Sequence, residues 1–260
     1  MWMRKFWGIV VPPVIASTLV LLIWFLIKKS SGLPDYVLPG PLKVATTFWE
    51  HKTEVGKATW LTLFSSVFGL AISTLIGSLI SIVFCQSKWI RRSLFPLAIF
   101  LQTVPIVAIA PIVVLWLDEG LTATIFIASI VSVFPIITNT TTGLLGVTNE
   151  HYELFRLYKA SRWQRLFRLQ IPTALPSFVT GLKIAGGMAV LGSVVGEFFC
   201  ASLESKGLGR LIFELKDANV AQMYGCIFAA TLMGVSMFAV ISIVTDRFLL
   251  YWDEKKISHL

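Results

Sequence analysis

The chain is short of charge. Of its 260 residues only 14% are Lys, Arg, Asp or Glu, against 56% hydrophobic, and the mean hydropathy is +0.79. Soluble domains carry about 25% charged residues, so this composition cannot cover a soluble body of such size. Disorder is excluded by the same figures, because it needs high charge and few apolar residues. Cysteine is scarce and odd in number: Cys85, Cys200 and Cys226 lie in or beside apolar runs, where a disulfide framework is not expected and apolar packing is the ordinary use. There is no CxxC and no His/Cys cluster, and His51, His151 and His259 are scattered, so no metal site is expected. No GxxxxGK[ST] run is present, so the chain does not hold a nucleotide in that way. No convergent set of acids, histidines or nucleophiles points to an enzyme, and no repeat stands out.

What the chain does have is length of apolar run. Six segments extend over Phe6–Ile27, Trp60–Cys85, Leu94–Leu117, Leu121–Leu145, Phe178–Cys200 and Tyr224–Leu250. Each approaches or exceeds the roughly 20 residues that cross a bilayer as helix. Backbone groups in lipid must pair internally, and short alternating barrel strands are absent, so an all-α bundle of six transmembrane helices is expected. The first run follows Arg4 and Lys5 but is too long for a signal peptide and lacks a small-residue cleavage site, so it reads as a retained helix. Trp2, Trp7, Trp60, Trp89, Trp116 and Trp252 fall near span ends and read as an aromatic belt.

The formal charge of +8 is unevenly placed. Residues 86–93 hold Lys88, Arg91 and Arg92 and no acid; residues 146–177 hold Arg156, Lys159, Arg162, Arg165 and Arg168; the tail holds Arg247, Lys255 and Lys256. Asp118 and Glu119 mark a turn without a base. By the positive-inside rule both termini and the basic loops are cytoplasmic. Residues 28–59 disagree in part, carrying five lysines on the outside, with Asp35, Glu50 and Glu54. Within them Pro34, Pro39, Gly40 and Pro41 are turn residues, and Leu42–Lys57 reads as a short interfacial helix.

The 146–177 loop has room for two short helices. Thr148 or Asn149 caps the first, with Glu150 in its first turn. A break follows near Lys159–Ala160. Ser161 and Gln164 form a capping box for the second, which Pro172 and Pro176 are expected to stop. On that helix Trp163, Leu166, Phe167 and Gln170 share one side and are expected to pack on the chain's own bundle, while Arg162, Arg165 and Arg168 share another. Such a basic pair of helices can meet lipid headgroups or dock a partner. Within the spans, Pro105, Pro111 and Pro135 are candidate bends, and Gly192 and Gly196 form a GxxxG pair. Glu197 ends an apolar run and is a candidate for a solute path or dimer interface, unless it lies at the outer headgroups. Lys183 reads as a snorkelling anchor.

The order Glu153-Leu154-Phe155, Lys159-Ala160-Ser161 and Leu169-Gln170-Ile171-Pro172 resembles the EAA loop of ABC importer permeases, the inner-membrane components of binding-protein-dependent transport. The resemblance is to the nitrate/sulfonate/taurine-type subgroup, with a leaning to its vitamin- and pyrimidine-precursor branch. It continues through Leu38-Pro39-Gly40-Pro41, Thr62-Leu63, Val104-Pro105 to Ala110-Pro111 and Trp116, Gly181-Leu182-Lys183, Gly196-Glu197-Phe198 and Gly207-Leu208-Gly209. Two departures stand out: Leu154 and Phe155 replace small residues, and Lys159 replaces the loop glycine, so that turn is expected to be rebuilt locally.

The resemblance implies a type I importer permease in a bacterial inner membrane, working as a homodimer. It divides the chain into residues 1–59, a first helix and outside loop; 60–252, the permease domain; and 253–260, a cytoplasmic tail. It implies docking of a cytoplasmic ABC ATP-binding subunit through Glu153, Leu154, Phe155, Leu157, Tyr158, Lys159, Ala160, Ser161, Arg162 and Pro172. An extracytoplasmic solute-binding protein delivers a small anion, sulfonate or vitamin precursor. No cofactor belongs to this chain; ATP-Mg belongs to the partner ATPase. The lipid bilayer is its surroundings, and no nucleic acid is expected. The alternative is a secondary transporter or channel working alone.

Overall fold

The computed structural model describes residues 2–200, 202 and 206–257. Among these every regular element is helical: α1 (Trp2–Ser31), α2 (Pro41–Glu50), α3 (Lys52–Gln86), α4 (Lys88–Thr103), α5 (Ile106–Leu117), α6 (Leu121–Leu145), α7 (Asn149–Leu157), α8 (Arg162–Arg165), a π turn at Leu166–Gln170, α9 (Ile171–Cys200), α10 (Leu208–Leu215) and α11 (Val220–Ile257). Five stretches of the described residues are long and apolar enough to cross a membrane: α1 from Val14, α3, α6, the run from α8 through α9, and α11 to Phe248.

The segment expected as one third span is two helices. α4 stops at Thr103 and α5 starts at Ile106, because Pro105 has no N–H to continue the ladder and sits in extended backbone, φ −60° and ψ 120°. The interfacial helix is also shorter than expected. α2 begins at Pro41, whose preset φ suits a first helical residue, and ends at Glu50, with His51 as the one residue before Lys52 opens α3. Pro172 and Pro176 do not stop the loop's second helix. The π turn widens the backbone just ahead of Pro172, and the chain runs on into α9 with Pro176 inside it.

The centre of the bundle is α6, held between α3 and α9. α3 turns a buried stripe of Ser65, Gly69, Ser73, Gly77 and Ser81 toward it, one small residue per helical turn. A methyl on Gly69 would stand 2.6 Å from Cβ of Ala128, and one on Gly192 would stand 2.8 Å from its Cα. Ala128 is thus gripped from both sides and fully buried. Two turns on, a methyl on Gly77 of α3 would stand 2.8 Å from the Ile136 side chain, and one on Gly181 of α9 would stand 2.8 Å from the Pro135 carbonyl. Hydroxyls add links that need no water: Ser66 donates to Ser193 at 3.0 Å and Ser81 to the Ile137 carbonyl at 3.1 Å. Backbones close enough for such contacts gain dispersion over long seams, which in lipid replaces the missing hydrophobic drive.

The remaining helices gather around this trio. Val55, Ala58, Leu208, Leu211, Cys226 and Met233 form a second core between α3, α10 and α11. α1 is peripheral, with Trp24 stacked on Tyr224 and Phe228 at 6.0 and 5.7 Å. In the first loop, Asp35 meets Lys28 at 2.9 Å and Lys43 at 2.7 Å, and these ammonium groups pull its carboxyl down to about 2. Two of the five lysines that disagreed with the charge rule are therefore paired. The Lys183 ammonium meets Asp246 of α11 at 2.7 Å. Trp89 and Trp116 are exposed at helix ends and Trp60 is exposed in the N-terminal third of α3, as a belt requires. The side chains of Trp2, Trp7, Trp252, Arg4, Lys5, Lys255 and Lys256, together with His259, lie outside the described residues.

Two glycines of α9 separate close approach from helix propensity. A methyl on Gly187 would meet nothing within 4 Å, whereas one on Gly192 would meet α6 backbone. Gly187→Ala should raise stability by up to about 1 kcal/mol. Gly192→Ala should lower it by roughly 1–3 kcal/mol. Thermal unfolding of the purified chain in detergent checks this, and equal shifts for the two variants would contradict the grip on Ala128.

Candidate functional site

The 146–177 loop projects from the end of the bundle as two helices on a tight turn. Thr148 is the N-cap residue of α7, in extended backbone, and its hydroxyl meets Nδ1 of His151 at 2.8 Å rather than a backbone amide. Glu150 lies in the first turn. Its own backbone N–H and the Thr148 hydroxyl hold its carboxyl below the ordinary range. No residue of α7 is buried, so the helix is not a core element.

The end of α7 is closed by two hydrogen bonds. The Lys159 N–H donates to the Arg156 carbonyl and the Ala160 N–H to the Phe155 carbonyl, both at 3.0 Å. That pair, with a left-handed residue between, is the Schellman arrangement. Lys159 supplies the left-handed residue at φ 51°. The turn is therefore not rebuilt, as had been expected, but kept with a lysine in the glycine's place, at a cost of about 1 kcal/mol. Ser161 then caps α8. Its hydroxyl accepts from the Gln164 N–H at 3.2 Å, and its own N–H donates to the Gln164 side chain at 2.7 Å.

This turn folds the two helices around a cavity of 390 Å³ lined by Leu154, Phe155, Tyr158, Ala160, Gln164 and Arg168. Leu157 and Tyr158 stand about it with 79% and 80% of their surface exposed. Glu153, Lys159, Ser161 and Arg162 are exposed as well, while Phe155, Ala160 and Pro172 are half-buried. The stripe on the second helix divides. Leu166 and Gln170 are buried, but Trp163 and Phe167 are exposed and stack on each other at 6.0 Å, so only half of it packs on the bundle. The bundle accepts a narrow face centred on Leu166, and residues one step around the helix fall outside it. The arginines divide too. Arg168 faces the cavity, whereas Arg162 and Arg165 line a separate polar recess with Lys88.

The membrane candidates are placed differently from expectation. Pro105 is the break between α4 and α5, and Pro111 lies inside α5, whose Ala110 and Val113 pack on Ala123, Ile127 and Cys200. Gly192 and Gly196 face α6 of the same chain, and so are spent on internal contact rather than on a second copy. Glu197 is not on an open surface of the chain: it is 2% exposed. Its Oε2 accepts from the Gly209 N–H at 2.7 Å and from the Thr62 hydroxyl at 3.0 Å. The Thr62 oxygen accepts in turn from the Leu208 N–H at 2.8 Å. One carboxyl group thus ties α9, α3 and the first amides of α10 together. Gly207 has to be glycine here, because a methyl would fall on the Glu197 carboxylate.

Sequence reasoning missed the α3 stripe and the role of Thr62. A four-residue spacing of Ser and Gly was a readable signal for the first; nothing local to residue 62 announced a partner 135 positions away.

The family described as "Binding-protein-dependent transport system inner membrane component" matches residues 69–258. The chain is 31% identical over 256 residues to the formylaminopyrimidine transport permease protein ThiX of Halalkalibacterium halodurans, covering 94% of this chain and 96% of that protein. It is 31% identical over 196 residues to the riboflavin transport system permease protein RibX of Chloroflexus aurantiacus, covering 75% and 72%. The aliphatic sulfonates permease SsuC of Bacillus subtilis, described as putative in its name, is 28% identical, covering 98% and 86%. In fold the chain is similar to an inward-facing MetNI methionine ABC transporter chain, with TM-score 0.58 and 18% identity over 79% of this chain and 97% of that one. It is equally similar to a chain of a bacterial alginate ABC transporter complex, with TM-score 0.59 and 16% identity over 94% and 98%.

Two substitution sets test the geometry. Lys159→Gly should raise stability by up to about 1 kcal/mol, and Lys159→Val should lower it, because a branched Cβ resists positive φ. Matching melting temperatures for the three proteins would remove the left-handed turn. Glu197→Ala should cost about 1–3 kcal/mol by stranding the buried Gly209 amide and removing the acceptor of the Thr62 hydroxyl, while Glu197→Gln keeps most of the acceptor geometry and should cost less. Denaturation midpoints that rank the two variants the other way would contradict the clamp.

Proposed function

The chain belongs to the binding-protein-dependent transport system inner membrane component family, and we propose that two copies of it form the solute path of an ATP-driven importer. The chain is a multi-pass membrane permease subunit of ABC type; the pairing, the sidedness and the docking residues are the proposal. Both termini and the 146–177 loop face the cytoplasm, in keeping with the basic residues on that side. A separate ATP-binding subunit docks on the loop and supplies ATP-Mg. A binding protein on the other side delivers the solute, for which a heteroaromatic vitamin precursor is favoured by the identity to the two permeases at 31%.

The observation that carries this reading is the exposed apolar rim of Leu154, Leu157 and Tyr158 on a lever with no buried residue. Such a surface on a soluble face needs a cover. Glu153, Ser161 and Arg162 frame it with polar groups, as a docking rim does. Phe155, Lys159, Ala160 and Pro172 act by holding its shape. The loop joins α6 to α9, so a force on it reaches the two helices that share the central seam. Closure of the ATPases then shifts the bundle between two packed states.

Leu157→Arg and Tyr158→Asp should each weaken binding of the ATPase by about 2 kcal/mol, roughly thirtyfold, without changing the melting temperature of the chain alone. Co-purification with the ATPase and solute uptake into liposomes measure both effects. Uptake by the chain in liposomes lacking any ATPase would replace this reading by a transporter working alone.

A further inference from the structure

A recess of 210 Å³ lies where the end of α3 and the start of α4 meet the loop, lined by Cys85, Gln86, Lys88, Tyr152, Arg162, Arg165 and Gln170. Three of these side chains are cationic and none is acidic. Lys88, Arg162 and Arg165 take part in no ion pair among the described residues. Arg165 is held in place, with its guanidinium 5.3 Å from the Tyr152 ring centre, yet its buried Nε has no hydrogen-bond partner. Neutral donors stand beside the charges. The Gln170 amide reaches the Tyr152 hydroxyl at 3.5 Å, a long bond that leaves both groups able to turn to a ligand. The recess is thus a set of unspent donors and positive charge around an empty volume.

Its depth in the membrane is set by tryptophans. Trp60, more than two turns into α3, and Trp89, in the first turn of α4, are 68% and 78% exposed. Roughly 40 Å of helix separates them, which matches a bilayer with its headgroups. Lys88 is next to Trp89, so the recess lies at the level of lipid phosphates. One turn back along α3 from Cys85, and next in sequence to Gln170, lies an apolar groove of 190 Å³ lined by Ile82 of α3, Leu144 of α6 and Ile171 and Leu175 of α9. A cationic head pocket followed by an apolar groove fits an amphiphile better than a soluble anion or a protein carboxylate.

We propose that this recess binds the phosphodiester head of an anionic membrane phospholipid, with an acyl chain in the groove between α3 and α9. Bound there, the lipid bridges the membrane bundle and the base of the loop, because Lys88 belongs to the bundle and Arg165 to the loop's second helix. Basic pockets at membrane surfaces recognise anionic headgroups by this same charge pairing.

The test uses the full chain purified in mild detergent, with phosphatidylglycerol or phosphatidylcholine of identical acyl chains added and bound lipid counted by native mass spectrometry. Phosphatidylglycerol should be retained preferentially. Lys88→Ala and Arg165→Ala should each weaken its retention about fivefold, with partial recovery in Arg165→Lys. Arg92→Ala removes an exposed basic residue outside the recess and should leave retention unchanged. Lys88 is exposed, so its replacement tests binding without risk to folding. Equal retention of the two lipids, an equal loss in Arg92→Ala, or displacement by millimolar inorganic phosphate would overturn the proposal. So would variants that lose the ATPase while holding the lipid as before.

Discussion

The close approach of α3, α6 and α9 is the constraint on which the rest depends. Three backbones can lie this near only where one side of each contact is small, and glycine supplies that side: Gly69 and Gly192 on Ala128, Gly77 on Ile136, Gly181 on the Pro135 carbonyl. In lipid no water is released when apolar helices meet, so dispersion along a long tight seam and a few hydroxyl links have to hold the bundle. Ser66 with Ser193 and Ser81 with the Ile137 carbonyl are such links. The Glu197 clamp adds to these links, its carboxyl and the Thr62 hydroxyl each accepting one buried amide of α10.

The loop gains meaning from this seam. It leaves α6 at Gly146 and returns to α9 through a π turn. The two helices it joins are the two that grip each other most closely, so the lever is fastened at both ends to the rigid part of the molecule. Its own turn is stiff as well, closed by a Schellman pair on one side and a capping box on the other. A lever with fixed ends and a fixed elbow transmits a push instead of absorbing it. The π turn is the one place where its helical ladder is loosened, at the entry to α9.

Much of this was legible from local chemistry. The apolar runs marked the spans, and α6 follows its run from Leu121 to Leu145 without a residue of difference. Ser161 and Gln164 announced their capping box by spacing alone, and the residues at Lys159–Ala160 announced a break. Pro105 was legible as a bend but not as a full break, because whether a proline kinks or divides a helix depends on what neighbouring helices offer its freed carbonyls. Pro172 and Pro176 misled in the opposite direction. Trp163 and Phe167 were read into the core because periodicity shows which residues share a face, not how much of that face the bundle covers.

From the sequence alone came the membrane, the helices, the basic loops and the order of motifs that marks the family, since each follows from composition or from contacts a few residues apart. Tertiary structure alone decided what Glu197 does, that the glycines of α9 are used inside the chain, and that Lys88, Arg162 and Arg165 converge on one recess. Those facts join positions such as Thr62 and Glu197, which are 135 residues apart. No local pattern encodes such a meeting; it exists only once α3, α6 and α9 have closed on one another. The scarcity of charge, which first marked the chain as a membrane protein, is what makes each buried or converging charge worth a specific contact.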